Sequence, residues 1–161
     1  MIANFQEAVM KRVLSIASLL FCVALTVSLS AQATPPAGGA PTAGMKISTD
    51  ADYSTHMKEI GQLNGMLNKS IKAGDAAEAG KAAARLEILF KNIHGYWTDK
   101  KVADATTAAQ TAVTSLQTLQ KSLSANDMTG AETARASLAG TCMACHTAHR
   151  EKLPEGGFRI K

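Results

Sequence analysis

The chain has few aromatic residues and few cysteines, and both shortages limit what it can be. Aromatic side chains make up 4% of the 161 residues, and three cysteines are present. No basic cluster with interleaved aromatics occurs, which argues against a nucleic-acid-binding protein. The formal net charge of +4 is mild and would only favour encounter with acidic partners. A core of Ala, Leu and Met, with so few rings, leaves room for a large apolar cofactor.

The first 33 residues have the pattern of an export signal. Lys11 and Arg12 supply a positive segment, a long apolar run follows, and Ala31-Gln32-Ala33 has the small-residue pattern of a cleavage site. We therefore expect residues 1–33 to be removed on export to the periplasm, leaving no stable membrane insertion. Cys22 lies in the apolar run and would be removed with it.

The segment that follows is compositionally different. Residues 34–47 are rich in Pro, Gly and Ala, and we expect a flexible lead because they offer little apolar surface to bury. Met10 is an alternative start of the chain, because Met10-Lys11-Arg12 has the usual opening of an export signal.

Residues 48–153 contain four segments with the apolar repeat of amphipathic helices, and no strand pattern competes. Short connections between long helices predict an all-α, antiparallel four-helix bundle. Residues 154–161 are expected to form a short tail. The first helix is predicted to begin at Ser48–Asp50 and end near Ala73, the second to follow Gly74 and be broken by Gly95, the third to span 99–123, and the fourth to open with a Thr129–Glu132 capping box.

The predicted inward faces follow from the same repeat. On the first helix, Gly61 and Gly65 would allow close approach by a porphyrin or a neighbouring helix. The inward residues are Tyr53, Met57, Ile60, Asn64, Leu67 and Ile71 on the first helix; Ala79, Ala82, Leu86, Leu89, Phe90, Ile93 and Trp97 on the second; Val102, Ala105, Ala109, Ala112, Leu116, Leu119 and Leu123 on the third; and Ala131, Ala134, Leu138, Thr141, Cys142 and Cys145 on the fourth.

The most specific pattern in the chain is Cys142-Met143-Ala144-Cys145-His146. Cys-x-x-Cys-His is the attachment sequence of covalently bound haem. Two thiols bond to the vinyl groups on one edge of the porphyrin, and the imidazole binds the iron. On a helix, Cys142, Cys145 and His146 stand at i, i+3 and i+4, on one side. The motif predicts one haem c, with His146 as the proximal iron ligand.

Other uses of these residues remain open. A thioredoxin-like dithiol requires a βαβ setting, which the sequence lacks. A zinc site would need Cys142, Cys145, His146 and His149 to surround an ion from one short helical stretch. A disulfide between the two cysteines before haem loading is a further alternative, as is a chance match to the motif.

A four-helix chain with one such motif near its C-terminus resembles the class II c-type cytochromes, the cytochrome c′ and cytochrome c-556 family. The likeness covers about residues 48–153. Tyr96-Trp97 resembles the family's Ile-Trp pair, and Arg150 matches the Arg that follows the motif. His149, which we expect to be exposed, replaces an aromatic residue. The resemblance implies that Arg150 contacts a haem propionate; a solvated Arg favoured by the helix dipole is the alternative.

The sixth iron ligand decides the function that the resemblance implies. Met57-Lys58-Glu59-Ile60-Gly61 resembles the Met-Lys-x-x-Gly stretch of the c-556 type. It implies that Met57 is the distal ligand and that the chain is a single-electron carrier. A core role for Met57, or ligation by His56, about 100° around the helix, are alternatives.

The partners implied by the resemblance are redox proteins and a second copy of the chain in a homodimer. The alternative function is a five-coordinate cytochrome c′-like protein that binds nitric oxide or carbon monoxide. We expect no enzymatic activity, because no distal acid–base pair stands at a defined position; a weak peroxidase is the remaining alternative.

Overall fold

The computed structural model describes residues 46–161, which are mostly helical. The predicted signal segment, 1–33, and nearly all of the predicted lead lie outside the described residues. The all-α class is confirmed for the described part of the chain. Its elements are α1 (Asp50–Lys72), α2 (Ala76–Asp99), α3 (Ala103–Ser124), α4 (Met128–His149), β1 (Arg150–Lys152) and β2 (Phe158–Ile160).

Acidic and hydroxyl side chains cap the beginnings of α1 and α2. The Thr49 hydroxyl accepts a hydrogen bond from the Asp52 amide at 3.1 Å, and the Asp52 carboxylate accepts one from the Thr49 amide at 2.9 Å, so a capping box opens α1 within the predicted start at Ser48–Asp50. Asp75 caps α2 by accepting from the Glu78 amide at 3.0 Å. These contacts satisfy amides that have no partner inside the helix.

The predicted capping box of α4 is wrong. Asp127 caps this helix and accepts a hydrogen bond from the Gly130 amide at 2.8 Å. Thr129 therefore lies within the first turn rather than before it. Asp127 is the capping residue because its carboxylate accepts a hydrogen bond from the third amide of the helix, which is an amide that N-cap side chains usually bond.

The predicted break at Gly95 is also wrong, since α2 continues to Asp99. One exposed glycine costs a helix about 1 kcal/mol relative to alanine. The flanking Ile93, Tyr96 and Trp97 are all buried, and their packing outweighs that cost. The third helix starts later than predicted, at Ala103, because Lys101 adopts a left-handed conformation with φ of 59° and ends the preceding turn.

A short β-hairpin replaces part of the predicted C-terminal tail. Strand β1 pairs antiparallel with β2, and Arg150 lies opposite Ile160. Gly156 and Gly157 form the turn with φ of 95° and 83°, a region in which glycine carries no steric penalty. The expectation that no strand would occur is therefore wrong for residues 150–160.

Three connections of three residues each force consecutive helices to double back. Helix α3 packs along both α2 and α4, and α1 packs along α2, whereas α1 and α4 make few contacts. This arrangement is compatible with a four-helix bundle. None of the helices within residues 46–161 combines the length and apolar character needed to cross a bilayer.

The core confirms the predicted inward faces of α2 and α3, except that Val102 is only partly buried. On α1 the outcome is mixed, because His56 is buried while Met57 and Asn64 are partly exposed. Ile47 is also buried, so the packed region begins before Ser48. The large side chains at the centre of the core are Leu67, Leu86, Leu89, Ile93, Leu116, Leu119 and Leu138.

Candidate functional site

The weak contact between α1 and α4 leaves space beside the Cys-x-x-Cys-His segment. An inner cavity of ≈ 130 Å³ and an outer cavity of ≈ 740 Å³ share four lining residues, Met57 and Gly61 on α1 and Cys145 and His146 on α4. The inner cavity is also bordered by Ile60, Asn64, Leu86, Phe90, Ile93, Ala108, Ala109, Leu138, Thr141 and Cys142.

Small residues account for the inner space. Gly61 offers no side chain on α1, and Ala108 and Ala109 offer only methyl groups on α3. No heavy atom lies within 4 Å of the position that a Cβ on Gly61 would occupy. Well-packed interiors contain few voids larger than a water molecule, so a space of this size beside a reactive motif is a candidate binding site.

The two thiols of the motif face this space and are free of a disulfide. Burial raises the pKa of Cys142 and of Cys145 above the ordinary thiol value. The negative charge of Asp104 raises the pKa of Cys145 further. Reactive dithiols instead have pKa values lowered by a nearby cation or a helix N-terminus. The arrangement therefore does not favour the thioredoxin-like alternative.

His146 is half-buried and borders both cavities. Burial lowers the pKa of its imidazole, and the positive charge of Arg150 lowers that pKa further. A lowered pKa keeps the ring neutral at pH 7, which is the form that binds metal through a nitrogen lone pair.

Met57 lies across the space from the motif, on the third turn of α1, and borders both cavities. Its neighbour His56 borders neither of them. The His56 Nδ1 lies 2.9 Å from the carbonyl oxygen of Asp52, and its Nε2 lies 3.4 Å from the amide nitrogen of Asn92. His56 therefore faces α2, and the structure brings Met57, not His56, to the motif.

The expectation that His149 is exposed is wrong. Its Nε2 lies 2.9 Å from a carboxylate oxygen of Asp104 on α3, and its ring centroid lies 5.1 Å from that of Trp97 on α2. Only 16% of the His149 side chain is accessible. Helical spacing alone predicts an exposed position for this residue. The C-terminal end of α2 and the N-terminal end of α3 lie against the last turn of α4 and cover it.

Two parts of the site were missed by the sequence interpretation. Tyr53 borders the outer cavity and accepts a hydrogen bond from the Trp97 indole N–H at 3.1 Å. The hairpin supplies the outer wall through Leu153, Gly157, Phe158, Arg159 and Ile160. The Gly156-Gly157 pair was the signal for a turn between two short extended segments.

Arg150 is exposed at the end of α4 and borders the outer cavity. Its guanidinium carbon lies 3.9 Å from the ring centroid of Phe158, a cation–π arrangement across the hairpin. This position leaves both predicted roles of Arg150 open, since the side chain is near the cavity and also in contact with solvent.

A bare metal ion has no obvious place among the described residues. Within residues 46–161, no group of three or more His, Cys, Asp or Glu side chains is arranged to hold one. Cys142, Cys145, His146 and His149 therefore do not form the cluster that the zinc alternative requires.

A comparison with known proteins finds no matching family model, no matching curated protein and no matching solved structure.

Proposed function

We propose that this chain is an exported monohaem c-type cytochrome of the class II type, acting as a single-electron carrier. The observation that carries the proposal is the shared lining of the two cavities. Met57 of α1 and the Cys145-His146 pair of α4 border the same two spaces from opposite helices. A thioether and an imidazole facing one another are the ligand pair of electron-carrying c-type haems.

The residues present fit a covalently attached haem. Cys142 and Cys145 are free thiols one helical turn apart, and both border the inner cavity with His146. The outer cavity of ≈ 740 Å³ has a size usual for cofactor sites. In this proposal Cys142 and Cys145 hold haem c as thioethers, His146 is the proximal iron ligand and Met57 the distal one. The bound haem supplies an iron that gains and loses one electron.

The chain's own residues would set how easily that electron is gained. Leu86, Phe90, Ile93 and Leu138 are buried side chains that give the inner cavity an apolar wall. An apolar surrounding and a soft thioether ligand both favour the reduced state of the iron. The hairpin contributes the corresponding wall on the outer side.

Positive charge is concentrated at the outer cavity. Lys58, Arg150 and Arg159 border it together with one carboxylate, that of Asp50, and Arg159 is also paired with Glu151 at 2.8 Å. In our proposal Arg150 offsets the negative charge of the haem propionates. The same charges favour encounter with redox proteins that carry acidic surfaces. The site of action in this proposal is the periplasm, reached through the N-terminal signal.

The second candidate is a five-coordinate protein that binds nitric oxide or carbon monoxide. It is favoured by the inner cavity itself, which is lined mainly by apolar side chains and adjoins Met57. If Met57 stays on the cavity wall without binding iron, that space is open to a diatomic gas.

The experiment that separates the two compares Met57→Ala with Met66→Ala. Both residues are on α1, but Met66 is 55% exposed and borders neither cavity, so it is a matched control. Proteins matured in a host with haem-ligation machinery are examined by absorption spectroscopy, oxidised and reduced, with and without carbon monoxide. We expect low-spin spectra for the wild type and Met66→Ala, and high-spin spectra with rapid carbon monoxide binding for Met57→Ala. High-spin spectra in all three would favour the gas-binding candidate.

A further inference from the structure

One residue from each helix joins a continuous set of contacts at the end of the molecule that carries the motif. Asp104 of α3 pairs with His149 of α4 at 2.9 Å. The His149 ring packs on Trp97 of α2 at 5.1 Å between centroids. The Trp97 indole N–H donates to the hydroxyl of Tyr53 on α1 at 3.1 Å, and these two rings meet edge to face at 5.7 Å.

The last three turns of α4 are less buried than its first half, and the Lys161 amide of the hairpin end donates to the His149 carbonyl at 3.1 Å. The buried residues of α4 are Ala131, Ala134 and Leu138, all in its first half. Within the described stretch 139–148, no side chain is fully buried. This stretch contains Cys142, Cys145 and His146, and the two cavities separate part of it from α1. The segment that carries the motif is therefore packed at Leu138, touches the core through the partly buried Cys142, and is held again at His149.

The position of His149 along the helix makes this contact effective. It follows Cys145 by four residues and His146 by three, so all three side chains lie on neighbouring parts of one helical face. Any rotation of α4 about its axis that turns His146 also moves His149 away from Asp104 and Trp97. Two contacts of different kinds, a hydrogen bond and a ring contact, thus oppose the same rotation.

We infer that His149 is a positioning residue, which fixes the direction of His146 and of the two motif thiols by tying the last turn of α4 to Asp104 and Trp97. Its effect on iron ligation rests on the proposed function, whereas its effect on α4 does not. Asp104 and Trp97 border neither cavity, so each positions α4 through its contact with His149, in addition to the effect of the Asp104 charge on Cys145.

The two contacts are separable by substitution. His149→Phe keeps a ring against Trp97 and removes the N–H that faces Asp104. His149→Gln keeps an N–H donor and removes the ring, and His149→Ala removes both. His94→Ala is the matched control, because His94 is a partly buried histidine of α2 that borders neither of the two cavities next to the motif.

The first measurement is made on the full chain expressed without haem attachment. Hydrogen exchange of the amides of residues 142–149 is followed by mass spectrometry or NMR. We expect His149→Ala to speed this exchange about fivefold, the size of one hydrogen bond's net contribution, with smaller effects for Phe and Gln and none for His94→Ala. Unchanged exchange in folded His149→Ala overturns the inference. If His149→Ala does not fold, the same exchange is measured in His149→Phe and His149→Gln, and unchanged exchange in both overturns the inference.

The second measurement uses protein matured with haem-ligation machinery. Covalent haem is checked by intact mass, and the low-spin fraction by absorption spectroscopy. We expect His149→Ala to acquire haem but to show the ratio of low-spin to high-spin iron reduced about fivefold, partly restored in Phe and Gln. A wild-type chain of bare polypeptide mass would contradict the proposed function alone. A haem-bearing His149→Ala with the wild-type spectrum would contradict the inference alone.

Discussion

Gly61 and Gly65 allow the use of the inner space to be tested without altering any predicted ligand. Both are exposed on α1, and no heavy atom lies within 4 Å of the Cβ that either would gain as alanine. They differ in one respect, since Gly61 borders both cavities and Gly65 borders neither. Alanine in a helix is more favourable than glycine by about 1 kcal/mol.

In the chain without haem, Gly61→Ala and Gly65→Ala should therefore each raise the free energy of unfolding by about 1 kcal/mol. For a domain of this size such a gain raises Tm by about 4 °C. In the haem-bearing chain we expect Gly65→Ala to keep the gain. Gly61→Ala should lose it or become destabilising, because its methyl group enters the space that the proposal assigns to the porphyrin.

The assay is urea or thermal unfolding of the two variants and the wild type, each with and without attached haem. Each substitution then gives two changes in the free energy of unfolding, one with haem and one without. If haem alters the change for Gly61→Ala but not the change for Gly65→Ala, the difference reports contact between the Gly61 position and the bound group. Equal stabilisation by both substitutions in both forms would refute the assignment of this space.

Three further predictions concern the cap of α4, acid sensitivity and the hairpin. Asp127→Ala should lower the free energy of unfolding by about 1 kcal/mol because it removes a helix cap, as measured by urea unfolding. Stability should fall as the pH drops below about 4, because hydrogen bonding to Lys91, Gln120 and Gln117 lowers the pKa of Glu87 in the folded chain, and that contribution is present above the unfolded pKa and lost below the folded one. Removing residues 153–161 should lower the reduction potential, measured by redox titration, because water then reaches the outer cavity.

Each of these has a matched comparison. Thr129→Ala should leave stability nearly unchanged, and a loss as large as that of Asp127→Ala would contradict the observed cap. Glu87→Gln should weaken the acid dependence, whereas an unaltered pH profile would show that another carboxylate dominates it. Ile88→Ala is a control for general loosening in the redox titration, and an unchanged potential after truncation would show that the hairpin does not protect the site.

Helical periodicity predicted much of the fold because it depends on local spacing. The inward residues of α2 and α3 were identified from steps of three and four residues, and burial follows those steps. On α1 the same reasoning chose Met57 and Asn64 as inward, yet His56 is buried instead. The departure occurs where α1 has no close partner on the α4 side, so the cavity exposes residues that a complete helix neighbour would cover.

Some errors arise where distant parts of the chain meet, and others where neighbouring residues compete for one role. The exposure of His149 could not be read from α4 alone, because Asp104 and Trp97 come from other helices. The cap of α4 was misassigned because Asp127 and Thr129 are both good capping residues, and only the observed hydrogen bond distinguishes them. The motif itself was identifiable because Cys142, Cys145 and His146 are close in sequence, whereas the choice of Met57 rested on resemblance.

The most direct test of the central claim is the intact mass of the mature wild-type protein, produced in a host with haem-ligation machinery, beside a Cys142→Ala/Cys145→Ala variant. The proposal predicts that the wild type is heavier than its polypeptide by the mass of one haem and that the variant is not. A wild-type protein with the mass of its polypeptide alone would contradict it.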